Sequence, residues 1–135
     1  MTYQEIIELH PHPADLDRAA VLRCIEECLD CAASCTACAD DSLSEDDSRE
    51  MTRSIRLCLD CSDVCDATRR IVIRQTTPDY RLLRAALEGC ATSCLACAEE
   101  CDHHAAHHEH CRICAEVCRR CKQACEDLLA AMSTT

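Results

Sequence analysis

The sequence predicts an all-α protein, an antiparallel up-down-up-down four-helix bundle with a cysteine-lined core and a short N-terminal helix. Its 17 cysteines recur almost throughout at spacings of three and four residues, and residues at those spacings share one face of an α-helix. One glycine and three prolines in 135 residues disfavour an all-β fold, which needs turn residues at short intervals. The cysteines form four groups, one for each predicted helix: Cys24, Cys28, Cys31, Cys35 and Cys38; Cys58, Cys61 and Cys65; Cys90, Cys94, Cys97 and Cys101; Cys111, Cys114, Cys118, Cys121 and Cys125.

The N-terminal part of the chain contains a clear helix break. Residues 3–9 have the apolar spacing of a short amphipathic helix, which the two prolines within residues 10–13 should end. The first bundle helix should then run over about 14–40, with Asp17 at its solvated end. The polar run 40–44 is expected to form a turn.

Capping signals place the second and third bundle helices. Ser44 and the acidic residues after it resemble the start of a helix, which should cover about 45–75. Thr77 can cap and Pro78 can occupy the first position of a third helix over about 78–101.

The fourth helix has a weakly marked start near Asp102 and should cover about 104–132. Short loops make neighbouring helices antiparallel, so we expect one domain over residues 1–135, with residues 1–13 as an N-terminal extension. The bundle then has two unlike ends. The predicted histidine end collects Cys38, Met51, Cys58, Cys101, His104, His107 and Cys111, whereas the predicted aliphatic end collects Val21, Val72, Leu83, Leu87 and Leu128.

Composition and charge restrict the function. A formal net charge of −11 argues against nucleic acid and anionic membranes as partners. The N-terminus lacks the basic start and apolar run of a signal peptide, and no stretch is long and apolar enough to span a membrane. We therefore expect a cytosolic protein, and in that compartment a dense cysteine pattern indicates metal binding rather than a disulfide framework.

The spacing of the cysteines indicates the metal. Fourteen of them form seven C-x-x-x-C pairs, and the remaining three, Cys38, Cys58 and Cys111, lie at the histidine end. Two thiolates one helical turn apart can clamp a two- or three-coordinate soft ion, above all Cu(I). Structural zinc and iron–sulfur sites instead use ligand pairs on loops that close around the metal.

Charge supports the same choice. The core-facing positions carry no lysine or arginine, so zinc sites of four thiolates would each bury about two uncompensated negative charges. Bridging thiolates at roughly one Cu(I) per thiolate bring the core close to neutral. We therefore expect multiple Cu(I) ions per chain, and protonated, apolar thiols without metal.

The histidine cluster supplies candidate ligands outside the cysteines. His104 and His107 extrapolate to the core-facing positions of the fourth helix, and His108 flanks them. Met51 occupies such a position on the second helix, with a thioether suited to Cu(I). His103 and His110 are expected to be exposed. The candidate metal ligands are thus all seventeen cysteines listed above together with His104, His107, His108 and Met51.

The chain resembles the bacterial copper storage proteins, specifically their cytosolic branch. The resemblance covers essentially the whole length and rests on four cysteine-striped helices, C-x-x-x-C pairs throughout and a histidine-rich segment at one end. It implies storage of many Cu(I) ions within each bundle, a homotetramer of bundles and a bacterial cytosol. Copper chaperones or small thiols would then serve as donor or acceptor.

Two other classes of function remain open at this point. Paired thiols could form a redox reservoir, or the protein could store zinc as metallothioneins do. No catalytic constellation is visible, because the sequence offers no nucleophile–base pair with an orienting third group and no phosphate-binding loop. We therefore expect a protein that is not an enzyme.

Overall fold

The protein is described here from a computed structural model, which describes residues 2–132. Met1 and residues 133–135 of the predicted domain lie outside that range. Five α-helices follow one another: α1 (Thr2–Glu8), α2 (Arg18–Leu43), α3 (Thr52–Ile73), α4 (Tyr80–Asp102) and α5 (Glu109–Met132), with a 3₁₀ turn at Ser48–Met51 before α3. The described residues include no β-strand.

The four long helices form the predicted bundle. Helix α2 packs against α3 and α5, and α4 packs against the same two helices on the other side. Because each helix contacts its chain neighbour and α5 closes back onto α2, the order around the bundle is α2–α3–α4–α5. The fold-class prediction is therefore confirmed.

Several predicted helix boundaries are wrong because the capping residues differ from those expected. Asp17 is the N-cap of α2, its Oδ1 accepting a hydrogen bond from the Ala20 N–H at 2.8 Å, so the helix begins at Arg18 rather than near residue 14. Asp79, rather than Thr77, caps α4 through the Arg81 N–H at 2.9 Å. Thr77 instead adopts a left-handed conformation with φ 39°.

The connection between α2 and α3 also differs from the prediction. Helix α2 continues through the polar run to Leu43, and the buried Ser42 hydroxyl is satisfied within the helix by the Cys38 carbonyl at 2.9 Å. Ser44 is the C-cap of α2 rather than the N-cap of α3. The α-helix that was expected from residue 45 begins at Thr52, after the 3₁₀ turn.

The start of α5 is the boundary that affects the site most. Residues 103–107 form consecutive turns, with the His104 N–H donating to the Cys101 carbonyl at 3.0 Å. Helix α5 begins at Glu109, five residues later than predicted. The helical register extrapolated back to His104 and His107 therefore does not apply.

Aliphatic side chains fill the end of the core remote from the histidines. Val21, Val72, Leu83, Leu87 and Leu128 are all at most 2% exposed, and together with the Ile7 side chain of α1 they belong to the same buried cluster as the cysteines. We call this region the aliphatic end. It holds the four long helices together without any metal. No helix within the described residues is both long and apolar enough to cross a membrane.

The aliphatic end generates a prediction about the metal-free protein. Replacing Leu87 with alanine should lower the free energy of unfolding by ~2–5 kcal/mol, because the side chain is fully buried and its removal leaves a cavity. Urea unfolding of the reduced, metal-free protein, followed by far-UV circular dichroism, measures this change.

The matched control is Leu82→Ala on the same helix, where the side chain is 58% exposed and the expected change is within about 0.5 kcal/mol. A metal-free protein that is mostly coil, or equal effects of the two substitutions, would contradict the prediction.

Candidate metal centre

All seventeen cysteines face the axis of the bundle. Each is free and buried, and each long helix contributes the stripe that its spacing predicts. Sulfur atoms from different helices approach closely: Cys97 and Cys58 lie 3.6 Å apart, Cys35 and Cys118 3.6 Å, and Cys65 and Cys90 3.7 Å. The core therefore presents a column of thiols with neighbouring sulfurs in mutual contact.

The thiols group into overlapping sets of four rather than into separate sites. Within each set the four sulfurs lie within 4.8 Å of one another. Five such sets are Cys28, Cys90, Cys121 and Cys125; Cys31, Cys65, Cys94 and Cys121; Cys31, Cys35, Cys61 and Cys118; Cys35, Cys97, Cys114 and Cys118; and Cys38, Cys58, Cys101 and Cys114. Because successive sets share a cysteine, an ion bound in one set shares its ligands with the next.

Hydrogen bonds between the thiols govern how they lose protons. The pKa of Cys35 is raised. Its hydrogen bond with Cys114 has the largest effect, and bonds with other thiols and burial add to it. Hydrogen bonds with neighbouring thiols lower the pKa of Cys114, and the bond with Cys101 has the largest effect. These opposite shifts arise because the thiolate formed first accepts hydrogen bonds from its neighbours, which then keep their protons. Without metal, the protonation of each of these thiols is thus coupled to that of its neighbours.

The last thiols of the column meet a histidine. His110 Nδ1 lies 3.3 Å from Cys38 Sγ and 3.6 Å from Cys111 Sγ. A hydrogen bond with Cys101 is the main cause that raises the pKa of Cys111 to about 12. An imidazole nitrogen beside two thiols is a suitable donor set for a soft ion. We call this region, with the neighbouring residues 103–108, the histidine end.

A surface cleft reaches the thiols at the histidine end. Its volume is about 160 Å³, and it lies between α2 and α5. Cys38, 3% exposed, is the cysteine with the largest exposed fraction. The residues that line the cleft are Ser34, Ala37, Cys38, Asp41, His110, Ile113 and Cys114.

Carboxylates surround the histidines at this end. The Glu45 carboxylate lies 3.3 Å from both His110 Nε2 and His108 Nδ1, and Asp47 Oδ2 lies 2.9 Å from His108 Nε2. The hydrogen bond with Asp47 raises the pKa of His108. Glu100 contacts His104 Nε2 at 3.5 Å.

The histidines and the methionine do not all lie where the sequence predicts. His110, expected to be exposed, is the histidine that contacts thiols. His107, expected to face the core, is exposed, because α5 starts after it. His104 and His108 have side chains only 17% and 10% exposed, beside carboxylates rather than beside sulfur. Met51 is fully buried.

A signal for His110 was present in the sequence. It immediately precedes Cys111 and belongs to α5, whose stripe is otherwise well defined. An acidic residue suits the first turn of a helix, and a helix that starts at Glu109 places His110 on its first turn beside the core-facing Cys111. The prediction for His110 was wrong because the predicted helix started too early.

The comparisons with known proteins agree with this core. The family model described as copper storage protein (Csp) matches residues 17–130. A comparison with curated proteins finds no significant match.

Solved structures from Streptomyces lividans are similar over most of the chain. The copper storage protein Ccsp loaded with 10 copper equivalents is 50% identical, with a TM-score of 0.93, covering 96% of this chain and 98% of that one. A structure of a cytosolic copper storage protein during copper loading, with five coppers, is 55% identical, with a TM-score of 0.82 and coverage of 83% and 93%. A Ccsp variant with two histidines replaced by alanine is 53% identical, with a TM-score of 0.85 and coverage of 86% and 98%.

The cleft predicts which thiol reacts first with an alkylating reagent. In the reduced, metal-free protein, Cys38 should be modified by N-ethylmaleimide before any other cysteine, because the reagent must reach the sulfur and the cleft leads to it. Brief labelling followed by peptide mass spectrometry gives the order of modification. Earlier labelling of Cys24 or Cys125, both fully buried near the aliphatic end, would contradict this position of the opening.

Proposed function

The chain belongs to the copper storage protein family, and we propose that it stores many Cu(I) ions on the thiolates inside its four-helix bundle. The overlapping sets of four cysteines are the observation that carries this proposal. Cu(I) accepts two or three thiolates and tolerates thiolates that bridge two ions, so a continuous column can be filled along its whole length.

Charge argues against a zinc store. A structural zinc ion binds four ligands in a tetrahedron, and seventeen thiols would serve about four such ions if none were shared. Each such site would bury about two negative charges, and the buried residues of the described range include no lysine or arginine. A thiol redox reservoir is also less favoured, because it requires no overlapping sets of four thiols.

The ligands are proposed residue by residue. All seventeen cysteines bind Cu(I) as thiolates, and His110 joins Cys38 and Cys111 at the histidine end. His104 and His108 line the approach beside their carboxylates, whereas His107 is exposed and lies outside this approach. Met51, buried at the same end of α3, supplies a thioether suited to the same ion.

Loading exchanges copper for protons. A thiol must lose its proton to bind the ion, so each bound Cu(I) releases about one proton and leaves the charge of the core nearly unchanged. Acid therefore favours release, because protons and Cu(I) compete for the same sulfur. Because the aliphatic end is packed without metal, we expect the bundle to be folded before and after loading.

The setting of the protein follows from its family. We propose storage in a bacterial cytosol, where a relative is described as a cytosolic copper storage protein, with copper chaperones or small thiols as donor and acceptor. Assembly into a homotetramer and organisation as one domain over residues 1–135 are likewise proposed. The chain acts as a store and not as an enzyme, because its nucleophilic thiols are all buried in the core.

Stoichiometry is the direct test of storage. Anaerobic titration of the reduced protein with Cu(I) should end at about 15–20 ions per chain, since the column accepts on the order of one ion per thiolate. Metal analysis after gel filtration gives the number of bound ions. Saturation at about four ions, each displaced by zinc, would favour a zinc store, and rapid disulfide formation in air without metal would favour a redox reservoir.

His110 generates a prediction about exchange. His110→Ala should slow Cu(I) uptake and release at least about tenfold while lowering capacity by no more than about one or two ions, because the other ligands lie deeper. Stopped-flow mixing with a chromophoric Cu(I) complex follows the rate.

His107→Ala is the matched control, since His107 lies in the same segment but is exposed. The rate should stay near that of the unmodified protein. The access route would lie elsewhere if His107→Ala slowed Cu(I) exchange while His110→Ala did not. The same conclusion would follow if the pair Leu83→Ala and Leu87→Ala at the aliphatic end slowed it instead.

A further inference from the structure

We propose that Glu45 is a positioning residue for copper uptake, which holds the His110 ring so that Nδ1 faces Cys38 and Cys111. The inference rests on the proposed function, because it concerns how the ion reaches the stored state. Glu45 lies in the connection between α2 and the 3₁₀ turn, outside the cysteine stripes.

The geometry consists of one carboxylate between two imidazoles. Glu45 Oε1 accepts a hydrogen bond from His110 Nε2 at 3.3 Å, and its other oxygen lies 3.3 Å from His108 Nδ1. Both histidine side chains are largely buried, at 19% and 10% exposure. The Nε2 of His110, largely shielded from water, therefore depends on this carboxylate for a polar partner, whereas His108 has Asp47 as a second partner.

The contact decides which nitrogen of His110 is free. A neutral imidazole carries its proton on one nitrogen and a lone pair on the other. Because the carboxylate can only accept, it keeps the proton on Nε2 and leaves the Nδ1 lone pair directed at the two sulfurs. An outer carboxylate that orients a ligand histidine in this way also raises the basicity of the nitrogen that binds metal.

His108 has a different role in the same arrangement. Its Nδ1 faces Glu45 and its Nε2 faces Asp47 at 2.9 Å, so both ring nitrogens are occupied by carboxylates. Neither is directed at a sulfur. His108 instead holds the second oxygen of the Glu45 carboxylate, with its ring centroid 5.5 Å from that of His110, and Asp47 fixes His108 in turn.

Glu45→Ala tests the proposal, with Asp46→Ala as the matched control. Asp46 is exposed in the same loop, so both substitutions remove one negative charge at the histidine end. We expect Glu45→Ala to slow Cu(I) uptake about tenfold, with unchanged capacity, and Asp46→Ala to leave the rate within about twofold. Glu45→Gln should recover part of the rate, because its amide oxygen can still accept from His110.

Long-range ¹H–¹⁵N correlation spectra of the metal-free protein provide the second measurement. His110 should be protonated at Nε2 in the unmodified protein, and Glu45→Ala should shift the ring towards a mixture of tautomers. A His110 ring protonated at Nδ1 in the unmodified protein would overturn the proposal. So would equal slowing by Asp46→Ala, or a Gln variant as slow as the Ala variant, since charge alone would then explain the effect.

Capacity separates this inference from the proposed function. If the unmodified protein binds only about four ions, copper storage itself fails. If it binds many ions and the Glu45 variants load at the normal rate, storage stands and the positioning role fails. Thermal melts followed by circular dichroism establish that each variant is folded at the temperature of the kinetics.

Discussion

Electrical neutrality of a dry interior is the constraint on which the rest of this structure depends. The core contains seventeen buried thiols and, among the described residues, no buried lysine, arginine or carboxylate. An uncompensated charge there would be costly. Protonated thiols satisfy the constraint without metal, and thiolates bridged by Cu(I) satisfy it with metal. A monovalent ion that replaces one proton leaves the charge balance unchanged, whereas a divalent ion on four thiolates does not.

Neutrality also explains why the two ends of the bundle differ. The aliphatic end contributes stability and closes the column. Its side chains cannot accept a proton or a metal ion, because they are those of Val21, Val72, Leu83, Leu87 and Leu128. The histidine end collects the charged groups that the core excludes, with carboxylates held against imidazoles at 2.9–3.5 Å. This division agrees with the proposed exchange of ions at the histidine end.

The sequence predicted the helix faces well and the helix ends poorly, for a physical reason. The cysteine spacing is set by the helical repeat, so each stripe identifies the buried face wherever its helix begins. Helix ends depend on which of several polar residues makes the capping bond, and Ser44, Thr77 and Asp79 are all chemically able to do so. The error at the start of α5 carried over to the histidines, since His107 and His110 lie on opposite sides of that boundary.

The residue types at the histidine end change from carboxylate through imidazole to thiol towards the core, an order that suits the proposed uptake of Cu(I). Carboxylate oxygens are hard donors that attract a cation by charge but bind Cu(I) weakly, imidazole is intermediate and thiolate is the preferred donor. Glu45 and Asp47 lie outermost, His110 follows, and Cys38 and Cys111 begin the column. The acidic groups are also engaged by histidines, which limits their ability to retain a metal. On the proposed function, a Cu(I) ion moving from oxygen to nitrogen to sulfur would therefore gain affinity at each step.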